Sequence, residues 1–440
     1  MKAQKIENQS IEEEVESSES TSIESLWNKH FNNKNTIKLL FIAVVSIAMS
    51  VFHMYTSGFG VFEAWQQRAY TLSFVLLLIP LLYPFKSSNR MIRLIVDGLY
   101  LALSFIVIAY TFYVYPDILF RKTIPDPADV VIGIITVLLI LEGTRRAVGY
   151  FLSILVLLFI LYAYFGNYLP GILSHPGYSV ERIIATFYNS TSGIFGLILG
   201  AMSNYIIIFI IFGAFLLKSR AGKLFIDLAY ALTGSKTGGP GKVSVVASGL
   251  MGMIQGTAVS NVATTGTLTI PLIKRVGYKP YFAGAIEAAA SSGGQLMPPI
   301  MGASAFIIAA NLKIPYIHLA FFALLPAILH YIAVYFMVHF QAKKDGLKGL
   351  EKSKLPNIKA ILKEGWFLFL PIILIVALLV MGYSPQLAGF YSILAIIIVS
   401  SFRKSTRMNL KDILAALELG GRNSISIGSI CAAAGILVGS

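Results

Sequence analysis

Cysteine is almost missing. The single one, Cys431, excludes a disulfide framework and any metal site built from several cysteines. Charge is scarce too: Asp, Glu, Lys and Arg make up 13% of the 440 residues, against roughly 25% in soluble domains. With 56% hydrophobic residues, that scarcity rules out a soluble globule, and disorder anywhere beyond the first few dozen residues. A phosphate loop of the GxxxxGK[ST] type is absent, so ATP hydrolysis is not expected. Acidic residues are the rarer sign, 21 against 35 Lys and Arg, which leaves +14. Such an excess fits nucleic-acid binding or the basic cytoplasmic loops of a membrane protein, and the positions of the charges decide.

What is present is a series of apolar runs close to the roughly 20 residues that span a bilayer. They cover 37–57, 69–85, 94–115, 127–144, 147–166, 194–217, 316–340, 366–383 and 387–402, and a last run begins near 424. Before them, residues 1–36 scatter seven Glu (Glu7, Glu12, Glu13, Glu14, Glu16, Glu19, Glu24) among Ser, Thr and Asn. This stretch cannot bury enough apolar surface to fold alone and is read as a disordered acidic cytoplasmic tail. If it lies inside and the spans alternate, 30 of the 35 basic residues face the cytoplasm. Arg68, Arg121, Lys122, Arg182 and Lys313 face outward. That is a positive-inside pattern with the N-terminus cytoplasmic, and no nucleic-acid surface. It requires 243–276 to dip in and return to the same side. A full crossing would send the seven lysines of 341–365 outward.

Residues 238–311 carry the chemistry. Gly256-Thr257-Ala258-Val259-Ser260-Asn261 has the composition of a hairpin tip, with an apolar helix 243–255 leading in and another, about 262–273, leading out. Helix ends at such a tip expose carbonyls that suit Na⁺ and positive N-termini that suit carboxylates. Thr257, Ser260, Asn261, Thr264 and Thr265 add side-chain oxygens. A second break follows at Ser291-Ser292-Gly293-Gly294-Gln295-Leu296-Met297-Pro298-Pro299, inside the region 279–311. Consecutive prolines remove two N–H donors, so a helix broken here frees carbonyls. Na⁺ is expected through backbone carbonyls near Ser260, Asn261, Gly293 and Gly294. Simple helix packing through small residues is the alternative. Glu287 is a membrane carboxylate and functional by default, its alternative being a protonated or paired packing residue. Asp97 sits near a span end and reads as solvated. Asp227 lies on 219–233, which reads as an interfacial helix, and Gly234–Lys242 reads as a loop.

Several stretches resemble the membrane component of tripartite ATP-independent periplasmic (TRAP) transporters, in the form where small and large subunits are fused. They are Gly256 through Gly266, Ile270-Pro271, Gly277-Tyr278, Glu287-Ala288, Ser291 through Pro299, and Gly302-Ala303. The likeness is specific over about 175–340 and looser over 37–170. It implies Na⁺-driven secondary uptake of an organic acid such as a dicarboxylate. An extracytoplasmic substrate-binding protein would deliver that acid, and the transport domain would move like an elevator. It places the protein in a bacterial or archaeal inner membrane, with Na⁺ as coupling ion and no other cofactor. The implied fold is all-α and polytopic, with about ten to eleven transmembrane helices of roughly 20 residues each. One re-entrant hairpin (243–276) and one broken helix form the first half of an inverted repeat. In this reading 37–170 is small-subunit-like, 171–411 is the first large-subunit repeat, and 412–440 starts a second, truncated repeat.

Three other readings stand beside it. A channel would also use half-crossing hairpins, and a non-transporting scaffold would need no ion site. An intramembrane serine protease would need Ser304, in Gly302-Ala303-Ser304-Ala305, to meet His330 or His339, which no spacing rule secures. No catalytic residue is assigned.

Overall fold

A computed structural model of the chain describes residues 36–118, 121, 125–351, 353, 355–403 and 406–440. The acidic tail lies outside them apart from Thr36, as do Lys122, Lys352, Lys354 and Lys404 of the charge pattern. The chain divides into two compact units, Met1–Val45 and Ser46–Ser440. In the first, the described part is the opening of helix α1 (Thr36–Phe59).

The second unit is helical throughout its described elements. After α1 come α2 (Ala64–Leu82), α3 (Arg90–Ile118), α4 (Pro127–Ala147), α5 (Tyr150–Phe165), the short α6 (Val180–Ile184) and α7 (Leu197–Lys218). Then follow α8 (Ala221–Thr233), α9 (Gly239–Gln255), α10 (Ala258–Arg275), α11 (Pro280–Gly293), α12 (Ala303–Leu312) and α13 (Tyr316–Lys344). The series closes with α14 (Ile358–Val380), α15 (Pro385–Ser400) and α16 (Leu410–Gly439). Eight of the described helices are long and apolar enough to cross a membrane: α1, α3, α4, α5, α7, α13, α14 and α16. The apolar run at 387–402 forms only the shorter helix α15, and α2 opens on the polar Gln66, Gln67 and Arg68. The chain is an all-α polytopic membrane protein.

Burial separates the core from the lipid-facing rim. In the most apolar stretch of α7, 72% of residues are buried within the protein, against 17% for α3 and α13. α7 is therefore a central helix, and α3 and α13 turn their apolar sides outward, where only a bilayer would cover them. α16 packs along α7 through small residues, which let helices approach closely. A Cβ on Gly420 would lie 3.0 Å from Ile211, and one on Gly428 would lie 2.6 Å from Val75 of α2. Hydroxyls tie α16 to α1 and α4 as well: Ser50 of α1 donates to the Leu417 carbonyl (2.7 Å), and Thr144 of α4 and Ser429 share a hydrogen bond of 2.9 Å.

Asp97 departs from its reading as a solvated residue. Its carboxylate accepts from Arg146 at 2.6 Å and from the Phe85 N–H at 3.1 Å, and the Arg146 side chain is only 3% exposed. Arg146 also reaches Glu142 at 2.7 Å. The partners are 49 residues apart, so only the packing of α3 on α4 brings them together. Asp227 is half-buried on α8, which packs on α9 and on the start of α14.

Candidate functional site

α9 and α10 form the hairpin expected over 243–276, with two boundary changes. α9 starts at Gly239 because Pro240, at the first turn, presets the helical backbone where its missing N–H costs nothing. Gly239 to Lys242 are therefore helix rather than loop. Lys242 is buried, its Nζ 3.0 Å from His339 Nδ1 and 4.8 Å above the Tyr335 ring. The turn itself is only Gly256 and Thr257. Gly256 adopts the left-handed conformation (φ +65°) that L side chains rarely take. Thr257 then caps α10, its Oγ1 accepting the Ser260 N–H at 3.3 Å. That cap makes Ala258 to Asn261 helical, although the sequence suggests an open tip.

The broken helix is as expected. α11 ends at Gly293, and one tight turn, Gly294–Leu296, follows it. Irregular backbone then runs through a cis Pro298–Pro299 peptide to α12. The hairpin closes on this break at two backbone contacts. A Cβ on Gly252 would lie 2.4 Å from the Gly294 Cα, and one on Gly256 would lie 2.5 Å from the Met301 carbonyl oxygen. Beside the tip is a cavity of about 10 Å³, room for about one water, bordered by Gln255, Gly256, Thr257, Met301 and Ala303.

Many of the carbonyls expected to be free already have donors. His330 Nε2 sits 3.0 Å from the Ala289 oxygen, and the Tyr331 hydroxyl donates to Ala290 at 2.9 Å. The Tyr316 hydroxyl reaches Pro299 (2.8 Å) and Ile300 (2.5 Å). At the named positions, the Ser260 oxygen accepts from Thr264 Oγ1, the Asn261 oxygen from Thr265 Oγ1, and the Gly294 oxygen from the Met297 N–H.

Two side-chain amides behave differently. Asn261 is wholly buried, and its Nδ2 donates to the Ser248 carbonyl at 2.8 Å. A carbonyl can only accept, so this bond fixes which way the amide faces. It leaves Asn261 Oδ1 buried without a hydrogen-bond partner. Gln255 Nε2 donates to Thr264 Oγ1 at 3.0 Å, and Gln255 Oε1 is likewise buried and unpartnered. Buried acceptors seldom stay unsatisfied in native proteins. Two on one hairpin, at the face turned to the break, fit a small cation that takes oxygen ligands.

Glu287 anchors a second cluster. Its Oε1 accepts from Ser248 (2.8 Å), Ser291 (3.2 Å) and Thr265, and its Oε2 from Ser244 (2.6 Å) and Thr269 (2.5 Å). All six residues are 0% exposed. Ser244 and Ser248 stand one turn apart on α9, Thr265 and Thr269 on α10, and Glu287 and Ser291 on α11, so each helix turns one face to the carboxylate. Among the described residues Glu287 makes no ion pair.

Thus Gly256, Thr257, Asn261, Thr264, Gly293 and Gly294 gather where hairpin meets break, with the His330 ring packed against Gly293. Thr265, Glu287 and Ser291 gather one layer away. Ser260 is half-buried in the first turn of α10. The Ser292 and Gln295 side chains are exposed; Ser292 donates to its own helix at Ala288, and Gln295 contributes only its carbonyl, to the Gly302 N–H. Pro298 is half-buried and Pro299 buried. Ser304 is exposed, while His330 and His339 are engaged with the Ala289 carbonyl and Lys242. Sequence reading missed Ser244, Ser248, Gln255 and Thr269. The signal for three of them was the hydroxyl pair at i and i+4 on each hairpin arm.

The chain is 28% identical over 199 residues to the sialic acid TRAP transporter large permease protein SiaM of Vibrio cholerae, covering 44% of this chain and 46% of that protein. It is 26% identical over 211 residues to the 2,3-diketo-L-gulonate TRAP transporter large permease protein YiaN of Escherichia coli (47% and 49%). It is 27% identical over 194 residues to the isethionate TRAP transporter permease protein DctMQ of Oleidesulfovibrio alaskensis (42% and 30%). The matches thus span less than half the length of each relative. Residues 135–440 match a family described as "Tripartite ATP-independent periplasmic transporter, DctM component". With its hairpin, its broken helix and most of its length inside that match, the chain belongs to the DctM-component family of TRAP transporters.

Proposed function

We propose that this chain works as the membrane permease of a Na⁺-coupled secondary transporter that imports an organic acid handed over by an extracytoplasmic substrate-binding protein. The observation that carries this reading is the pair of buried, unpartnered amide oxygens, Asn261 Oδ1 and Gln255 Oε1, on a hairpin pressed against a broken helix. Na⁺ binds at that junction, with Gly256, Thr257, Ser260, Asn261, Thr264 and Gly294 around it. The N-terminal end of α10 turns its positive dipole toward the tip and favours a carboxylate there. The relatives' names specify sialic acid, diketogulonate and isethionate, all acids or their anions, which supports an organic acid without selecting one. Residues 37–170 serve as a fused small-subunit part, 171–411 as the first repeat of the large part, and 412–440 as the opening of a second. The basic residues hold the N-terminus in the cytoplasm of an inner membrane.

Equilibrium binding of radiolabelled sodium to the purified chain tests the ion site. Saturable binding, weakened about tenfold (about 1.4 kcal/mol) by Asn261→Ala and by Gln255→Ala, is expected. No binding, or binding untouched by both substitutions, overturns the site. Uptake of labelled organic acids into vesicles, with the binding protein outside and a Na⁺ gradient imposed, tests the rest.

A further inference from the structure

We propose that Lys242, His339 and Lys343 form a headgroup site for an anionic phospholipid, at the end of α13 where its apolar run gives way to lysine. Lys242 is the unexpected member. It is 3% exposed, in the opening turn of α9, and among the described residues it makes no ion pair. The positive end of the helix dipole falls on that turn, so a cation is unfavourable there. Lys236 and Lys343 add positive charge around it. Asp345, just beyond α13, is bonded to Gln341 instead. A buried charge needs a counter-charge. Among the described residues Lys242 finds only a ring nitrogen and an aromatic face.

Packing fixes these groups in place. Glycines let the start of α9 press on α13: a Cβ on Gly238 would strike Ala342, and one on Gly241 would lie 2.7 Å from Val338. That approach carries Lys242 Nζ to 3.0 Å from His339 Nδ1. An ammonium can only donate, so Nδ1 accepts and the ring proton sits on Nε2. Nε2 has no hydrogen-bond partner among the described residues, so His339 keeps a donor to offer. Lys343 stands one turn further along the same face of α13 and is exposed. Together they offer a phosphate one N–H, one exposed ammonium and a fixed positive charge behind them.

The membrane is the source of that phosphate. Phe336, Met337 and Phe340 lie beside His339 on α13 and are exposed, so only acyl chains would cover them. Aromatic and basic residues together mark the depth of the lipid headgroups. Basic pockets between membrane helices take anionic headgroups. In the topology proposed above this is the cytoplasmic leaflet. A bound headgroup bridges α9 to α13 and braces the base of the hairpin, at the far end of α9 from the tip.

The test is equilibrium binding of radiolabelled phosphatidylglycerol to the delipidated, intact chain in neutral detergent. One saturable site per chain is expected, displaced by unlabelled phosphatidylglycerol and not by phosphatidylcholine. K343A should weaken binding about fivefold, and H339F about tenfold. K313A, just before the other end of α13, should leave it unchanged. K242M separates a headgroup site from a structural lysine. It should lose the site while the lipid-free chain unfolds at an equal or higher temperature, because a buried, uncompensated charge is gone. A lower midpoint with phosphatidylglycerol binding intact would make Lys242 a packing residue and overturn the proposal. So would equal uptake of the two lipids, or binding untouched by both K343A and H339F. Displacement by millimolar inorganic phosphate would assign the site to a free anion and overturn the lipid.

Discussion

Acids are held in two ways in this protein. At the end of α4, Glu142 and Asp97 share Arg146, at 2.7 and 2.6 Å, in a cluster closed by the Phe85 N–H. In the hairpin, Glu287 meets five hydroxyls and, among the described residues, no cation. A carboxylate beside a fixed arginine has its charge settled by the fold, and its value is mechanical: it ties α3 to α4. A carboxylate held by rotatable hydroxyls has its position settled with no cation fixed beside it. The first arrangement ties two helices of the scaffold; the second joins the two hairpin arms to α11.

Arg146→Ala should be the largest perturbation. It strips the half-buried Asp97 of its cation, while Glu142 keeps Arg145 at 2.6 Å, and should cost about 3 kcal/mol, read as a lowered unfolding midpoint in detergent. Sodium binding by the protein that remains folded should be unchanged. If sodium binding shifted while stability held, the contrast between latch and ion site would be inverted. Gly252→Ala comes next. Its Cβ would meet the Gly294 backbone at 2.4 Å, where no flexible side chain can yield, so about 1–3 kcal/mol is expected together with weaker sodium binding. Gly284→Ala on α11 is the control: a Cβ there meets nothing within 4 Å. It should be neutral or stabilise slightly, since alanine is the better helix former. Equal losses from both glycines would mean that the approach of hairpin to break does not matter.

The hairpin and the broken helix were legible because they are written in local residues. Gly256, the Gly293-Gly294 pair and Pro298-Pro299 each interrupt a helix for reasons that need no tertiary context. The hydrogen-bond partners were not legible in the same way. That His330, Tyr331 and Tyr316 occupy carbonyls around the break depends on where α13 lies, and α13 starts beyond the break in sequence. Beside those bonds, the amide oxygens of Asn261 and Gln255 lie buried without a hydrogen-bond partner. Asp97 was misjudged for the same reason, its partner being 49 residues away. The extent of the tip was misjudged through capping: Thr257 closes the turn in two residues, where composition suggested six.

The smallest expected effect separates two serines that composition could not rank. Ser292, in the Gly-Gly/Pro-Pro break, was a candidate from sequence, and Ser244, twelve residues before Gly256, was not. The fold reverses them. The Ser292 hydroxyl is exposed and folds back on the Ala288 carbonyl of its own helix, whereas Ser244 is 0% exposed and donates to Glu287 at 2.6 Å across a helix interface. Polar contacts between membrane helices average about 0.6 kcal/mol, so Ser244→Ala should lower stability by about that much and Ser292→Ala by less than the measurement resolves. The sharper difference lies in coupling. Ser244 and Thr269 serve the same oxygen, so Ser244→Ala and Thr269→Val should be non-additive, the second loss depending on whether the first donor is present. Ser292→Ala and Thr269→Val share no acceptor and should add. Additivity in both pairs would mean that the hydroxyls pack around Glu287 without acting as one ring, and the contrast with the arginine-held acids of α4 would lose its functional meaning.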